Sequence, residues 1–230
     1  MERRQLPECA KQDDHWVCKE EDGKGIVMFS SAGRVRFQIE FGPANELVHI
    51  VTDANPMRNF RLGMQHALML QFSKVCIGLH GVTISYQGQN IVLSAPSGTG
   101  KTTLAKLLQQ YCGAEVINGD FAFLSIHESG GVVFEPTPFC GTSGQCVNSR
   151  VEIDRIVFLS QAKENKWVPL KTRDVCKLLL DNVFVPEWDG EKRTQIHESV
   201  FRVIDRIPIE QFAFMPEAEA AKMFITHVIK

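Results

Sequence analysis

Residues 34–41 alternate strictly, with Val35, Phe37, Ile39 and Phe41 apolar and Arg34, Arg36, Gln38 and Glu40 polar. This is the two-residue period of a strand with one face buried. The apolar run from Ile26 to Ser30 predicts a strand before it, and Glu46 to Thr52 one after it. The period then changes. Asn55-Pro56 reads as a helix N-cap followed by proline at the first helical position, and Leu62, His66, Met69 and Leu70 continue at helical spacing. A small β-rich N-terminal lobe ending in a helix is therefore expected over residues 1–75, with a second domain over 76–230.

In that second stretch, His80 to Tyr86 and Asn90 to Ser94 flank a turn centred on Gly88 and predict a β-hairpin. A helix is expected through Thr103 to Leu108, and a short strand from Ala114 to Asn118. Phe121 to Ile126 and Val132 to Phe134 read as a second hairpin turned at Glu128 to Gly131, and Arg155 to Ser160 as a further strand. Helices are expected at Leu170 to Asp181, Gly190 to Asp205 and Pro216 to His227. In the middle one, Ile196, Val200, Val203 and Ile204 form one apolar stripe, as on a helix lying against a core. Hairpins interspersed with helices do not give the parallel order of a doubly wound sheet, so the expected class is α/β (α+β) with a mixed sheet. No internal repeat or low-complexity linker interrupts the chain.

Composition adds bounds. With 230 residues, 44% of them hydrophobic, the chain can bury one substantial core and a smaller lobe. The net charge of -2, with Lys and Arg spread out, gives no electrostatic reason to expect a nucleic-acid or membrane partner. The N-terminal residues lack the apolar core of a signal peptide, and no apolar run approaches the ~20 residues of a membrane span. The seven cysteines, Cys9, Cys18, Cys76, Cys112, Cys140, Cys146 and Cys176, include no C-x-x-C pair and no histidine at zinc-finger spacing. Reduced thiols in a cytoplasmic protein are the expectation.

The strongest chemical signal is Ala95-Pro96-Ser97-Gly98-Thr99-Gly100-Lys101-Thr102, placed between the apolar run Ile91-Val92-Leu93 and the helical Thr103-Leu104-Ala105-Lys106-Leu107-Leu108. A strand that ends in a glycine-bearing loop feeding a helix aims several backbone N–H groups and the positive end of the helix dipole at one spot, which suits phosphate. Pro96, Ser97, Gly98, Thr99, Gly100, Lys101, Thr102 and Thr103 are the expected nucleotide-binding residues. Lys101 would neutralise β- and γ-phosphate oxygens and the Thr102 hydroxyl would ligate magnesium.

Three further places are candidates. Asp120 closes a strand next in sequence to this helix, where a carboxylate serves as a magnesium ligand or as the base for an acceptor hydroxyl, or forms a turn after Gly119. His80 opens the strand that pairs with the one delivering the loop; it is either a satisfied structural histidine or a contact to the transferring group. The Pro- and Gly-rich segment Pro136 to Gly144 is either a rigid turn or a substrate-facing loop.

His80-Gly81-Val82, Ser94 to Thr102 and Val116-Ile117-Asn118-Gly119-Asp120, at this spacing, resemble the catalytic domain of HPr kinase/phosphorylase and its serine-kinase relatives in the phosphoenolpyruvate-carboxykinase-like superfamily. The resemblance covers about residues 76 to 230. It implies a phosphoenolpyruvate-carboxykinase-like mixed sheet, an active-site role for His80, Asp120 as the catalytic or magnesium-linked carboxylate, and a homo-oligomer. Where those kinases carry tandem aspartates this chain has Gly119-Asp120, and its first lobe is shorter than their regulatory domain. Pro138-Phe139-Cys140-Gly141-Thr142 is similar to a Pro-Trp-Cys-Gly motif of small HPr-kinase-like proteins.

The expected function is a kinase that uses magnesium and ATP or GTP to move a γ-phosphoryl group to a hydroxyl acceptor in a peptide, protein or small molecule. Catalytic roles fall to His80, Lys101 and Asp120, and magnesium ligation to Thr102 and Asp120. Two alternatives are an ATP-binding-cassette ATPase and a non-catalytic nucleotide-binding regulator.

Overall fold

A computed structural model describes residues 15–21, 24–31, 34–41, 47–52, 61, 64–65, 68–69, 71–141, 144–185 and 190–229. The chain divides into two compact units, residues 1–73 with 185–194, and residues 74–184 with 195–230.

The first unit holds a four-stranded antiparallel sheet in the order β1 (His15–Glu21), β2 (Lys24–Ser31), β3 (Arg34–Phe41), β4 (Leu47–Thr52). The three expected strands are β2, β3 and β4. β1 was not expected, because Lys19, Glu20 and Glu21 mask the apolar Trp16 and Val17. Ile26, Met28 and Ile39 are buried. Gln38, on the polar side of the alternation, is buried too, and its amide donates to the Glu40 carboxylate. Of the expected helix, Asn55, Pro56, Leu62, His66 and Leu70 lie outside the described residues. Arg61, Met64, Gln65, Leu68, Met69, Gln71 and Phe72 are helical, with Met69 buried.

The second unit is built on a nine-stranded mixed sheet, so the chain is a mixed α/β protein. Its path is β10 (Val151–Glu152), β9 (Val132–Glu135), β8 (Phe121–Ile126), β5 (Cys76–Tyr86), β6 (Gln89–Ser94), β11 (Arg155–Gln161), β13 (Ile209–Phe214), β12 (Lys166–Val168), with β7 (Glu115–Asn118) pairing β5. The long β5 organises it. Its first half pairs with β8 from Cys76 to His80, and its second half forms the expected hairpin with β6 from Gly81 to Tyr86. β6, β11 and β13 run parallel, and the remaining pairings are antiparallel.

The apolar centre lies between this sheet and two helices, α1 (Lys101–Cys112) and α4 (Ala218–Val228). Leu104, Ala105 and Leu108 of α1 recur three to four residues apart and are buried, as are Ala220, Ala221, Phe224, Ile225 and Val228 of α4. The Phe212 and Phe224 rings meet edge to face at 5.5 Å, and Trp167 covers both. At its C-terminus α1 is closed by Gly113 N–H to Gln109 O and Ala114 N–H to Leu108 O, which satisfy two carbonyls that a helix end leaves bare. The other two helices are α2 (Thr172–Asn182) and α3 (Gly190–Ile204), the latter burying Ile196, Val200 and Val203 along the expected stripe. Among the described residues no helix is long and apolar enough to cross a membrane.

Candidate functional site

β6 is buried from Ile91 to Ser94 and delivers the chain into the 95–100 loop at the C-terminal edge of the parallel strands. Gly98 and Gly100 both take positive φ, 80° and 110°. At Gly100 a side chain is excluded twice, since a Cβ there would also sit 3.1 Å from the Phe214 ring. The loop is tied by Thr99 N–H to Pro96 O, and α1 starts with Leu104 N–H to Gly100 O. The first N–H groups of α1 have no partner within the helix and face the loop. Among the expected loop residues, Pro96, Ser97 and Gly98 are exposed, Thr99, Gly100 and Thr102 are half-buried, and Thr103 is exposed.

Lys101 behaves unlike an ordinary surface lysine. It is buried, and its Nζ donates to Ala95 O at 2.6 Å and Pro96 O at 3.2 Å. Burial lowers its pKa to about 8, and the Asp120 carboxylate opposes that fall. A cation held by two neutral carbonyls, with a carboxylate in electrostatic reach, is poised to exchange those acceptors for anionic oxygens.

Backbone pairing places Asp120 beside the loop. Gly81 pairs with Ser94 across the hairpin, and Gly81 N–H donates to Asp120 O at 3.0 Å. His80, one residue earlier, pairs with Phe121, and the Ser94 hydroxyl donates to His80 O. Three segments distant in sequence thus converge at one sheet edge. His80 Nδ1 lies 3.7 Å from Asp120 Oδ1; the His80 side chain is 46% exposed and that of Asp120 19%. The imidazole reaches solvent while the carboxylate is largely walled in.

Asn118 and Gly141 form part of that wall, and Gln161 braces the loop itself. Asn118 is fully buried, and its Oδ1 accepts from both Asp120 N–H and Phe121 N–H at 3.0 Å, an Asx turn that fixes the Asp120 backbone. Gly141, with φ 62°, packs so tightly that a Cβ there would lie 2.7 Å from Asp120 Cβ. Gln161, at the end of β11, donates from Nε2 to Gly98 O at 3.3 Å. The Asn118 turn is local, whereas the Gly141 and Gln161 contacts are set by tertiary packing.

In the Pro136–Gly144 segment Phe139 is buried edge-on against Phe121; Thr142 and Ser143 lie outside the described residues. The expectation of seven reduced thiols is corrected here: Cys140 and Cys146 form a disulfide with Cα atoms 5.4 Å apart. The tertiary reason is that Cys146 is drawn to β7 by a bridge to Asn118 and by Val147 N–H to Ile117 O at 2.8 Å, which brings the two ends of the short loop together. Cys76, Cys112 and Cys176 are free thiols, and burial pushes the Cys76 thiol up to about 12.

Among the described residues no cluster of three or more His, Cys, Asp or Glu is arranged to hold a metal. The Thr102 hydroxyl, at the start of α1, and the Asp120 carboxylate are hard oxygen donors of the kind that suits magnesium arriving already bound to phosphates.

No protein-family model matches the chain. No curated protein matches it either. Among solved structures the chain is similar to the HPr(Ser) kinase/phosphatase from Coxiella burnetii, with a TM-score of 0.39 and 12% sequence identity, over 66% of this chain and 87% of that one. The likeness is distant and concerns the fold alone.

Proposed function

We propose that the chain is a nucleotide-dependent phosphotransferase that moves a γ-phosphoryl group from ATP or GTP to a hydroxyl acceptor. The observation that carries the reading is the convergence at one sheet edge of a buried, carbonyl-held Lys101 and an enclosed Asp120 whose charge it feels. The loop amides and the N-terminus of α1 would bind the phosphates, and Lys101 would leave the Ala95 and Pro96 carbonyls for their oxygens. Thr102 and Asp120 would hold magnesium, which supplies neutralisation of the charge developing on the phosphates. His80, half-exposed beside Asp120, would face the transferring group from the solvent side and keep the acceptor hydroxyl aligned. The protein would act without a nucleic-acid or membrane partner; a homo-oligomeric state belongs to the same proposal.

Incubation with γ-labelled ATP and a panel of hydroxy amino acids, peptides and small proteins tests this. Label should reach an acceptor. Release of inorganic phosphate alone would mark an ATPase, and binding alone a regulator. In His80→Ala the transfer rate should fall while nucleotide affinity, which rests on the loop and Lys101, stays within about threefold. Normal specific activity with reduced stability would make His80 a structural residue.

A further inference from the structure

We propose that the Cys140–Cys146 disulfide is a thiol-sensitive clamp on Asp120, so that the redox state of this pair sets the competence of the site; the inference rests on the phosphotransfer reading above. The disulfide joins two short stretches that each reach the Asp120 turn. At one end Cys146 bridges to Asn118, whose Nδ2 points at Cys146 Sγ at 3.7 Å and whose Oδ1 holds the Asp120 and Phe121 amides. At the other end Gly141, next to Cys140, lies against the Asp120 side chain, with a Cβ position 3.0 Å from its Cγ. One buried amide therefore joins the sulfur to the backbone turn that aims the carboxylate.

Both cysteines are only half-buried, so a thiolate can reach the bond. An external dithiol transfers two electrons and two protons: the S–S bond breaks, Cys140 and Cys146 become thiols, and the dithiol closes to its own disulfide. The segment then keeps Val147 N–H on Ile117 O, but the covalent closure that presses Gly141 onto Asp120 is lost. The free thiols among the described side chains lie elsewhere, on β5, α1 and α2.

Amide hydrogen exchange read by NMR, with the thiols counted by alkylation and mass spectrometry, tests the clamp directly. On reduction with dithiothreitol, the Asp120 and Phe121 amides should exchange roughly tenfold faster or more, while Leu108 in α1 is unchanged. Cys140→Ser/Cys146→Ser should show the fast exchange with or without reductant; if it does not fold, reduced wild-type protein gives the same reading. In the same samples phosphoryl transfer should fall and its magnesium requirement rise on reduction. Redox-independent exchange, free thiols at both Cys140 and Cys146 in air-oxidised protein, or a measurable transfer rate that reduction leaves unchanged would each overturn the inference. Redox-dependent exchange in a protein that binds no magnesium-ATP would uphold the clamp on Asp120 and sink the phosphotransfer reading instead.

Discussion

Lys101 concentrates the electrostatics of the site in one group. Its pKa is lowered from 10.5 to about 8 in the folded chain, because burial disfavours the charged form more than Asp120 favours it. The unfolded state therefore binds more protons between these values, so the Lys101 contribution is unfavourable in full below about pH 8 and vanishes above 10.5. Stability from this residue should rise with pH across that window. Urea unfolding of wild type and Lys101→Met across the same range should show the excess slope in wild type only, and parallel curves would contradict the burial of a charged Lys101. Bound phosphate should abolish the slope by restoring the ammonium.

Asp120 is the carboxylate to which the proposed phosphotransfer assigns magnesium. Asp120→Asn keeps the shape and removes the charge, so the magnesium concentration needed for half-maximal transfer should rise about tenfold or transfer should disappear. Gly119 is not among the glycines with positive φ, so Gly119→Asp is compatible with the backbone there. A second carboxylate at 119 should raise the transfer rate by offering a proton acceptor, as initial rates across a magnesium titration would show. Unchanged magnesium dependence in Asp120→Asn would move the catalytic carboxylate elsewhere.

At the scale of elements, the β5–β6 hairpin joins His80 and Asp120 to the loop. Gly81 lies at the point where β5 changes partners, and a Cβ there would meet Leu93 O and Val92 Cγ1, each at 3.0 Å. Gly81→Ala should cost about 1–3 kcal/mol by overpacking, with part of the strain released by moving β5 away from β6. Denaturant unfolding measures the cost, and stability equal to wild type would mean that the strands do not approach so closely. The hairpin, α1, β8 with β9, β11 and the three later helices were legible because each carries a regular period with turn residues at its ends. β13 was not: Ile209 to Phe214 lies between two helical patterns, and its place as the outer parallel strand, between β11 and β12, comes with burying Phe212 and Phe214, the former against Phe224 of α4. β10 and β12, two and three residues long, are too short to show a period. Lys101, His80 and Asp120 could be singled out by motif and residue chemistry, whereas Gly141 and Gln161 matter through neighbours 21 and 63 residues away, and the turn that Asn118 makes with Asp120 and Phe121 carries no chemistry of its own to draw notice.

For the whole molecule, the candidate site lies entirely within the unit of residues 74–184 and 195–230. The first unit takes back residues 185–194, which lie between β12 and β13 in sequence, so the division is not a single cut in the chain and its last boundary falls inside α3. No composition change marks that return. The central claim is that the 95–100 loop and Lys101 form a phosphate site, and isothermal titration of magnesium-ATP into the full chain tests it most directly. Wild-type protein should bind one nucleotide per chain in a magnesium-dependent manner, and Lys101→Ala should bind at least about tenfold more weakly while remaining folded. Equal affinity in the two folded proteins, or no binding to wild type, would contradict the account.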